Sequence, residues 1–173
     1  MAPGRDDEIA EAAEVFAEVA RQLLREHLVP ATLQRIVELA VEHLDACEHA
    51  GITIIEGGRI SSPASSGDVP RILDEIQAQV GEGPCVDAIR EREVFLTGDL
   101  TAERRWPQFA RRAHDETGVT SILSIRLFVE HDTMGALNLY SRRADAFGAT
   151  SRREAHLERK AASRDVIGRA KGI

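Results

Sequence analysis

Lysine is almost missing from this chain. Of its 173 residues only Lys160 and Lys171 are lysine, so residues 1–159 supply no phosphate-cradling lysine, no Schiff-base lysine and no Ser-Lys dyad. Cysteine is scarce as well. Cys47 and Cys85 are too few for a disulfide framework, and such usage fits a reducing compartment. No apolar run approaches the roughly 20 residues that span a bilayer, and the opening MAPGRDDEIAEAAEVF is acidic and amphipathic, unlike a secretory signal. The expected location is the cytoplasm, away from membranes. A Ser-centred nucleophile elbow, HExxH and paired CxxC are all absent. His43, Cys47 and His49 are metal-ligand types, but only the first two share a helical turn and no fourth ligand joins them, so no metal site is expected. On these grounds the chain is expected not to be an enzyme.

What remains is enough for one domain with a proper core and a short appendage. Hydrophobic residues make up 43% and charged residues 29%, ordinary usage for a globular protein. The net charge of −7 is unevenly spread. From Arg142 to Ile173 nine Lys or Arg face four Asp or Glu, which leaves thirteen positive and 25 negative charges for residues 1–141. The body should repel nucleic acid, whereas the tail can attract it.

Periodicity divides the chain into elements. Ile9, Ala13, Phe16, Ala20 and Leu23 follow the alternating spacing of a helix that packs on a neighbouring helix. Pro30 interrupts, and Thr32 is placed to cap a second helix with Leu33, Ile36, Val37, Ala40, Val41 and Leu44 on its apolar face. GITII and RISS flank Glu56-Gly57-Gly58 as a hairpin. Asp68 is a candidate cap for a helix through Ile72, Leu73 and Ile76 that ends near Gly81. EVFLTGD reads as a strand, and PQFARRAHDE as an amphipathic helix opened by Pro107 and closed by Gly118. VTSILSIRLFVE and MGALNLYS form a long central hairpin, and a charged helix follows from Ala149. The fold class is α+β, a mostly antiparallel sheet with helices on its faces. The expected division is an N-terminal amphipathic helix over 1–30, an α+β domain over 31–148, and a charged segment over 149–173.

Few residues offer chemistry. In VGEGPCVDAIRE the glycines allow a sharp turn and Pro84 suits the first position of a helix. Cys85 would then sit in the first turn, where the helix dipole favours a thiolate. The competing reading makes Cys85 a small buried residue holding a loop on the core. The chain has seven aromatic residues, and Trp106 and Phe109 open one helix together, as a core anchor or as the wall of a ligand pocket. Ser121, Ser124 and Asn138 are polar residues within apolar strands, facing solvent or orienting a ligand.

At the level of motifs, AGITII, GEGPCVDAI, RWPQFA, GVTSILSIRL and GALNLYS followed by AF resemble the GAF sensor domains of bacterial antitermination regulators, over roughly residues 10–148. SRDVIGRAKGI resembles the first helix of the ANTAR module that follows such a domain. The resemblance implies a GAF-like central antiparallel sheet acting as a signal-responsive, homodimerising module, with an unidentified small molecule or protein as the signal; the candidate ligand residues are those singled out above by type and position, Cys85, Trp106, Phe109, Ser121, Ser124 and Asn138. It also implies RNA binding through the complete ANTAR module, of which Arg164, Arg169 and Lys171 would be part, and an ANTAR module cut off after its first helix segment. In that helix Val166, Ile167, Ala170 and Ile173 share one apolar face. The NKxnFx3DE pattern of cyclic-nucleotide-binding GAF domains is absent, as is the multi-cysteine arrangement of GAF-type methionine sulfoxide reductases. The cofactor is left open. The alternatives are a thiol-based redox sensor or enzyme using Cys85, and a GAF scaffold without a small-molecule ligand.

Overall fold

The architecture comes from a computed structural model that describes residues 5–25, 30–88, 94–130 and 133–148. Two helices lead: α1 (Arg5–Arg25) and α2 (Pro30–His43). The hairpin β1 (His49–Glu56) and β2 (Arg59–Ser65) follows, then α3 (Asp68–Val80), a single π-helical turn (Pro84–Ala88) and β3 (Val94–Thr97). A short 3-10 turn (Leu100–Ala102), α4 (Pro107–Thr117), β4 (Ser121–Glu130) and β5 (Thr133–Ser141) complete the described chain. The sheet order is β2-β1-β5-β4-β3 with every neighbouring pair antiparallel, so the α+β expectation holds.

The turns obey local chemistry. Gly57 and Gly58 carry the β1–β2 turn at φ 53° and 80°, the left-handed values a two-residue hairpin needs. Helices α3 and α4 end at Gly81 and Gly118, whose N–H groups donate to the carbonyls of Gln77 and His114. Two expected caps fall elsewhere. Helix α2 begins at Pro30, ahead of Thr32, and Asp68 is the first residue of α3 itself, preceded by Gly67 with no side-chain cap.

Because strand side chains alternate, the sheet buries two separate layers. On one face Ile52, Leu123, Ile125, Leu137 and Leu139 pack under α1 and α2, together with Phe147. On the other, Phe95, Ile122, Ala136 and Tyr140 pack under α3 and α4, with Trp106 and Phe109. Helix α1 turns Ala10, Ala13, Ala17 and Ala20 inward, with Ile9 and Phe16 partly buried at the edge of that layer. So the stripe of Ile9, Ala13, Phe16 and Ala20 serves this domain's own core, and the side chain of Leu23 lies outside the described residues. The helix expected from Ala149, with Arg164, Arg169 and Lys171, lies outside them too.

Candidate functional site

On the α3/α4 face a group of polar side chains is enclosed in otherwise apolar core. Asp74, from the inner face of α3, accepts from Ser62 Oγ of β2 at 2.5 Å and from Thr53 Oγ1 of β1 at 2.9 and 3.1 Å. Gln77, one turn on, approaches the same carboxylate through Nε2 at 3.4 Å. Asn138 of β5 donates from Nδ2 to Thr53 Oγ1 at 2.8 Å, and its Oδ1 accepts from the Cys85 thiol at 3.7 Å. Cys85 is tied in by its backbone N–H, which donates to Gln77 Oε1 at 2.9 Å. The network therefore spans β1, β2, β5, α3 and the π-helical turn.

Strand register explains the arrangement. Gly51, Asn138, Ser124 and Phe95 lie opposite one another across β1, β5, β4 and β3, forming one row on this face. Helix α3 comes closest at Gly51, where a Cβ would meet Pro70 Cβ at 2.9 Å, so a side chain there would push the helix off the sheet. Ser124, fully buried beside Asn138, has no hydrogen-bond partner for its hydroxyl among the described residues. A buried hydroxyl without a partner costs about 1–3 kcal/mol, which makes Ser124 the strained member of the row. Phe95 at its end meets Trp106 edge to face, with centroids 4.7 Å apart and planes at 79°, and the Arg105 guanidinium lies 4.5 and 4.9 Å from the two rings.

Burial sets the protonation of this cluster. Desolvation pushes Asp74 up to about 6, against the pull of its Ser62 and Thr53 hydrogen bonds. Burial, then the nearby Asp74, pushes the Cys85 thiol up to about 12, and burial does the same to Cys47. Of the two readings of Cys85, the thiolate gives way to the small buried residue that holds a loop on the core. Its turn is only five residues long, and an enclosed thiol beside a carboxylate gains nothing from a helix dipole.

Of the six sequence-level candidates, Cys85, Trp106, Phe109, Ser124 and Asn138 lie on this one face. Ser121 does not join them: three residues from Ser124, it points the other way and donates to the carbonyl of Arg143 at 2.8 Å. Asp74, Thr53, Ser62 and Gln77 escaped the sequence reading. The available signal was an Asp among Pro70, Leu73 and Gln77 on one helical face, a position where an acid is out of place. His43, Cys47 and His49 do not assemble: His43 is exposed, the Cys47 thiol donates to the His49 carbonyl at 3.2 Å, and no group of three metal-ligating side chains occurs among the described residues. A shallow groove of about 250 Å³ lies on the opposite layer, lined by Ile9, Asp45, Ala46 and residues 143–146.

Similarity to known proteins matches this architecture. A family model described as GAF domain fits residues 26–157. No curated protein matches the chain by sequence. Among solved structures, the chain is similar to the GAF domain of a phosphoenolpyruvate-protein phosphotransferase from Coxiella burnetii, at 18% identity and TM-score 0.51 over 91% of this chain and 96% of that one. It is also similar to a type II free methionine-R-sulfoxide reductase from Thermoplasma acidophilum (16% identity, TM-score 0.53, 84% and 89% covered) and to the Staphylococcus aureus fRMsr in complex with substrate (18%, 0.54, 91% and 92%). These neighbours correct one expectation. The fold argues nothing against enzymatic activity, since free methionine-R-sulfoxide reductases are enzymes built on it. With the family model covering most of its length and the five-stranded antiparallel sheet in place, the chain belongs to the GAF domain family, a signal-sensing and regulatory fold.

Proposed function

We propose that this GAF domain senses a small-molecule signal on the α3/α4 face of its sheet, as the homodimerising part of a cytoplasmic transcription antitermination regulator. The observation that carries the sensing role is the enclosed network of Asp74, Thr53, Asn138, Cys85 and Ser124. Replacing buried polar networks by apolar side chains of similar volume is often neutral or stabilising, so stability alone gives no reason to keep one. Trp106 and Phe109 would form the apolar side of the site. Ligand binding must favour one arrangement of the flanking helices over another, since a ligand with equal affinity for both shifts nothing.

The output side of the proposal rests on sequence. The division into a helix over 1–30, the sensor over 31–148 and a linker with the opening of an ANTAR module over 149–173 follows the SRDVIGRAKGI resemblance and the basic tail. RNA binding would belong to the complete ANTAR module, with Arg164, Arg169 and Lys171 as part of its basic surface. Dimerisation would use the outer face of α1, where Val15 and Val19 are exposed one turn apart.

Native mass spectrometry of freshly purified protein tests the sensing role. A retained small molecule, lost in Asn138→Leu, is the expected result. A chain that carries nothing, and whose melting temperature no metabolite raises, supports a second reading, a ligand-free dimerisation scaffold. The observation favouring that reading is the close packing of Trp106 and Phe109 against Phe95, Leu73 and Ile76. The redox reading through Cys85 loses ground, because its thiol is buried and held protonated.

A further inference from the structure

Asp74 is a buried carboxylate that no cation answers among the described residues. Its partners Thr53, Ser62 and Gln77 are all neutral, and among the described residues no arginine or histidine forms an ion pair with it. Lysine cannot do so from residues 1–159, because there is none. An ionised acid in a core is costly unless paired. The nearby hydrogen-bonding capacity that is left over consists mainly of acceptors. A carboxylate offers about four acceptor positions. The Thr53 and Ser62 hydroxyls use two of them well, while Gln77 Nε2 comes only to 3.4 Å. Asn138 Oδ1 receives nothing better than a thiol at 3.7 Å, and the Ser124 hydroxyl beside it has no partner.

An anionic ligand is a poor match, since a phosphate or carboxylate would meet Asp74 with no cationic side chain bonded there to offset it. An ammonium has three donors and no acceptor, which complements the unfilled sites. We infer that this cluster recognises the ammonium group of a small primary amine, accepted by Asp74 Oδ1 where Gln77 Nε2 now stands off and by Asn138 Oδ1 beyond it. The assignment rests on the sensing role proposed above and names its ligand class. Gln77 is the positioning residue: it touches Asp74 through its amide nitrogen and holds the Cys85 turn through its amide oxygen, so an amine that displaces it also loosens that turn.

Protonation links to binding. The titratable groups that face Asp74 are Cys85 and Tyr140, and burial raises both far enough to keep them neutral. On the packed elements, Glu56, Arg59, Arg71 and Glu75 are exposed, and Arg112 of α4 is engaged with Gln79 and Glu116. His49 lies one row along β1, opposite Tyr140, and burial lowers its pKa. It is the control group, because histidine is the other side-chain type on this strand whose charge can change between pH 5 and 7.5.

Ethylammonium chloride is a suitable probe, compared with NaCl and KCl at equal ionic strength, with thermal unfolding and emission of the single tryptophan, Trp106, as readouts on the full chain. Ethylammonium should give a saturable emission change and a rise in melting temperature beyond either salt. Binding should be roughly tenfold weaker at pH 5 than at pH 7.5, as the carboxylate near 6 becomes protonated, and at least tenfold weaker in Asp74→Asn. His49→Gln should keep the pH dependence. Equal responses to the salts, equal binding by Asp74→Asn, or loss of the pH dependence in His49→Gln each overturn the assignment. The pH series on the unaltered chain decides the matter even if Asp74→Asn does not fold. A response to neutral propionamide without one to ethylammonium overturns the amine class and leaves the sensing role standing. Silence with every probe, joined to no small molecule retained in native mass spectrometry, removes both.

Discussion

Arg21, on the outer helix α1, reaches the backbone carbonyl of Arg126 in β4 with Nη2 at 2.8 Å, across 105 positions of sequence. The carbonyl lies where the β4–β5 register slips between Arg126 and Phe128, so a bulge in the ladder presents it to the helix. The same guanidinium pairs with the buried Glu14 at 3.0 Å and with the exposed Glu18 at 3.0 Å. Since the inward face of α1 is built of alanines, this clamp adds a polar tie between helix and sheet to a thin apolar contact.

Arg21→Met should therefore loosen α1. Breaking a buried pair costs about 3 kcal/mol, and the change takes from Glu14 its 3.0 Å contact with the guanidinium. Hydrogen exchange should quicken along α1 while β5, at the centre of the sheet, stays protected. Arg21→Met with Glu14→Gln should recover part of the loss. Unchanged exchange in α1 would show that the clamp contributes little.

Stability should fall as pH rises through about 6. The folded pKa of Asp74 is raised from 3.8 to about 6, so its contribution to stability is fully present below the unfolded value and is lost as the carboxylate ionises in the core. The swing is on the order of 3 kcal/mol. Asp74→Asn should remove this slope, being more stable than the unaltered chain at pH 7.5 and close to it at pH 4. Urea unfolding at the two pH values measures the difference, and parallel curves for the two proteins would refute it.

Neither cysteine should react in the folded chain. The thiolate is the nucleophile, and thiols held at about 12 and buried ionise roughly a thousandfold less at pH 8 than a free cysteine would. A colorimetric disulfide reagent should find no equivalents in native protein and two after unfolding. Fast native labelling at Cys85 would revive the redox reading.

The exposed side of α1 carries the dimer prediction. Val15 is 59% and Val19 43% exposed, and they share one helical face. Val15→Lys with Val19→Lys should alter stability by less than about 0.5 kcal/mol and yield monomers in sedimentation. A dimer that survives both changes does not use this face. A charge at Phe16 would be a poor test, because that side chain packs on the α1/α2 core and its loss weakens the fold itself.

Much of the scaffold was legible from residue type and spacing. The change from helical to alternating period marks the β1–β2 hairpin, Gly81 and Gly118 stop their helices, and Pro107 starts α4, because each of these acts within a few residues of itself. Trp106 and Phe109 stand out for the same reason, as an aromatic pair opening α4 that serves as a core anchor or a pocket wall. The site was legible only in part. Ser124 and Asn138 stood out as polar residues in apolar strands, but their pairing is a matter of β4–β5 register, and Asp74 gains its meaning only when β1 and β2 bring Thr53 and Ser62 to it. Glu82, unremarkable in its Gly-rich loop, caps α4 by accepting from the N–H of Gln108, 26 residues away. The local turn leaves Cys85 open between a thiolate and a buried core residue, and its packing against Gln77 and Asp74 decides for the latter. Local pattern sets which segments are helix, strand or turn, since those preferences are short-range steric and hydrogen-bonding terms. Which polar groups lose their water, and which partner then replaces it, depends on neighbours that only the folded sheet brings together.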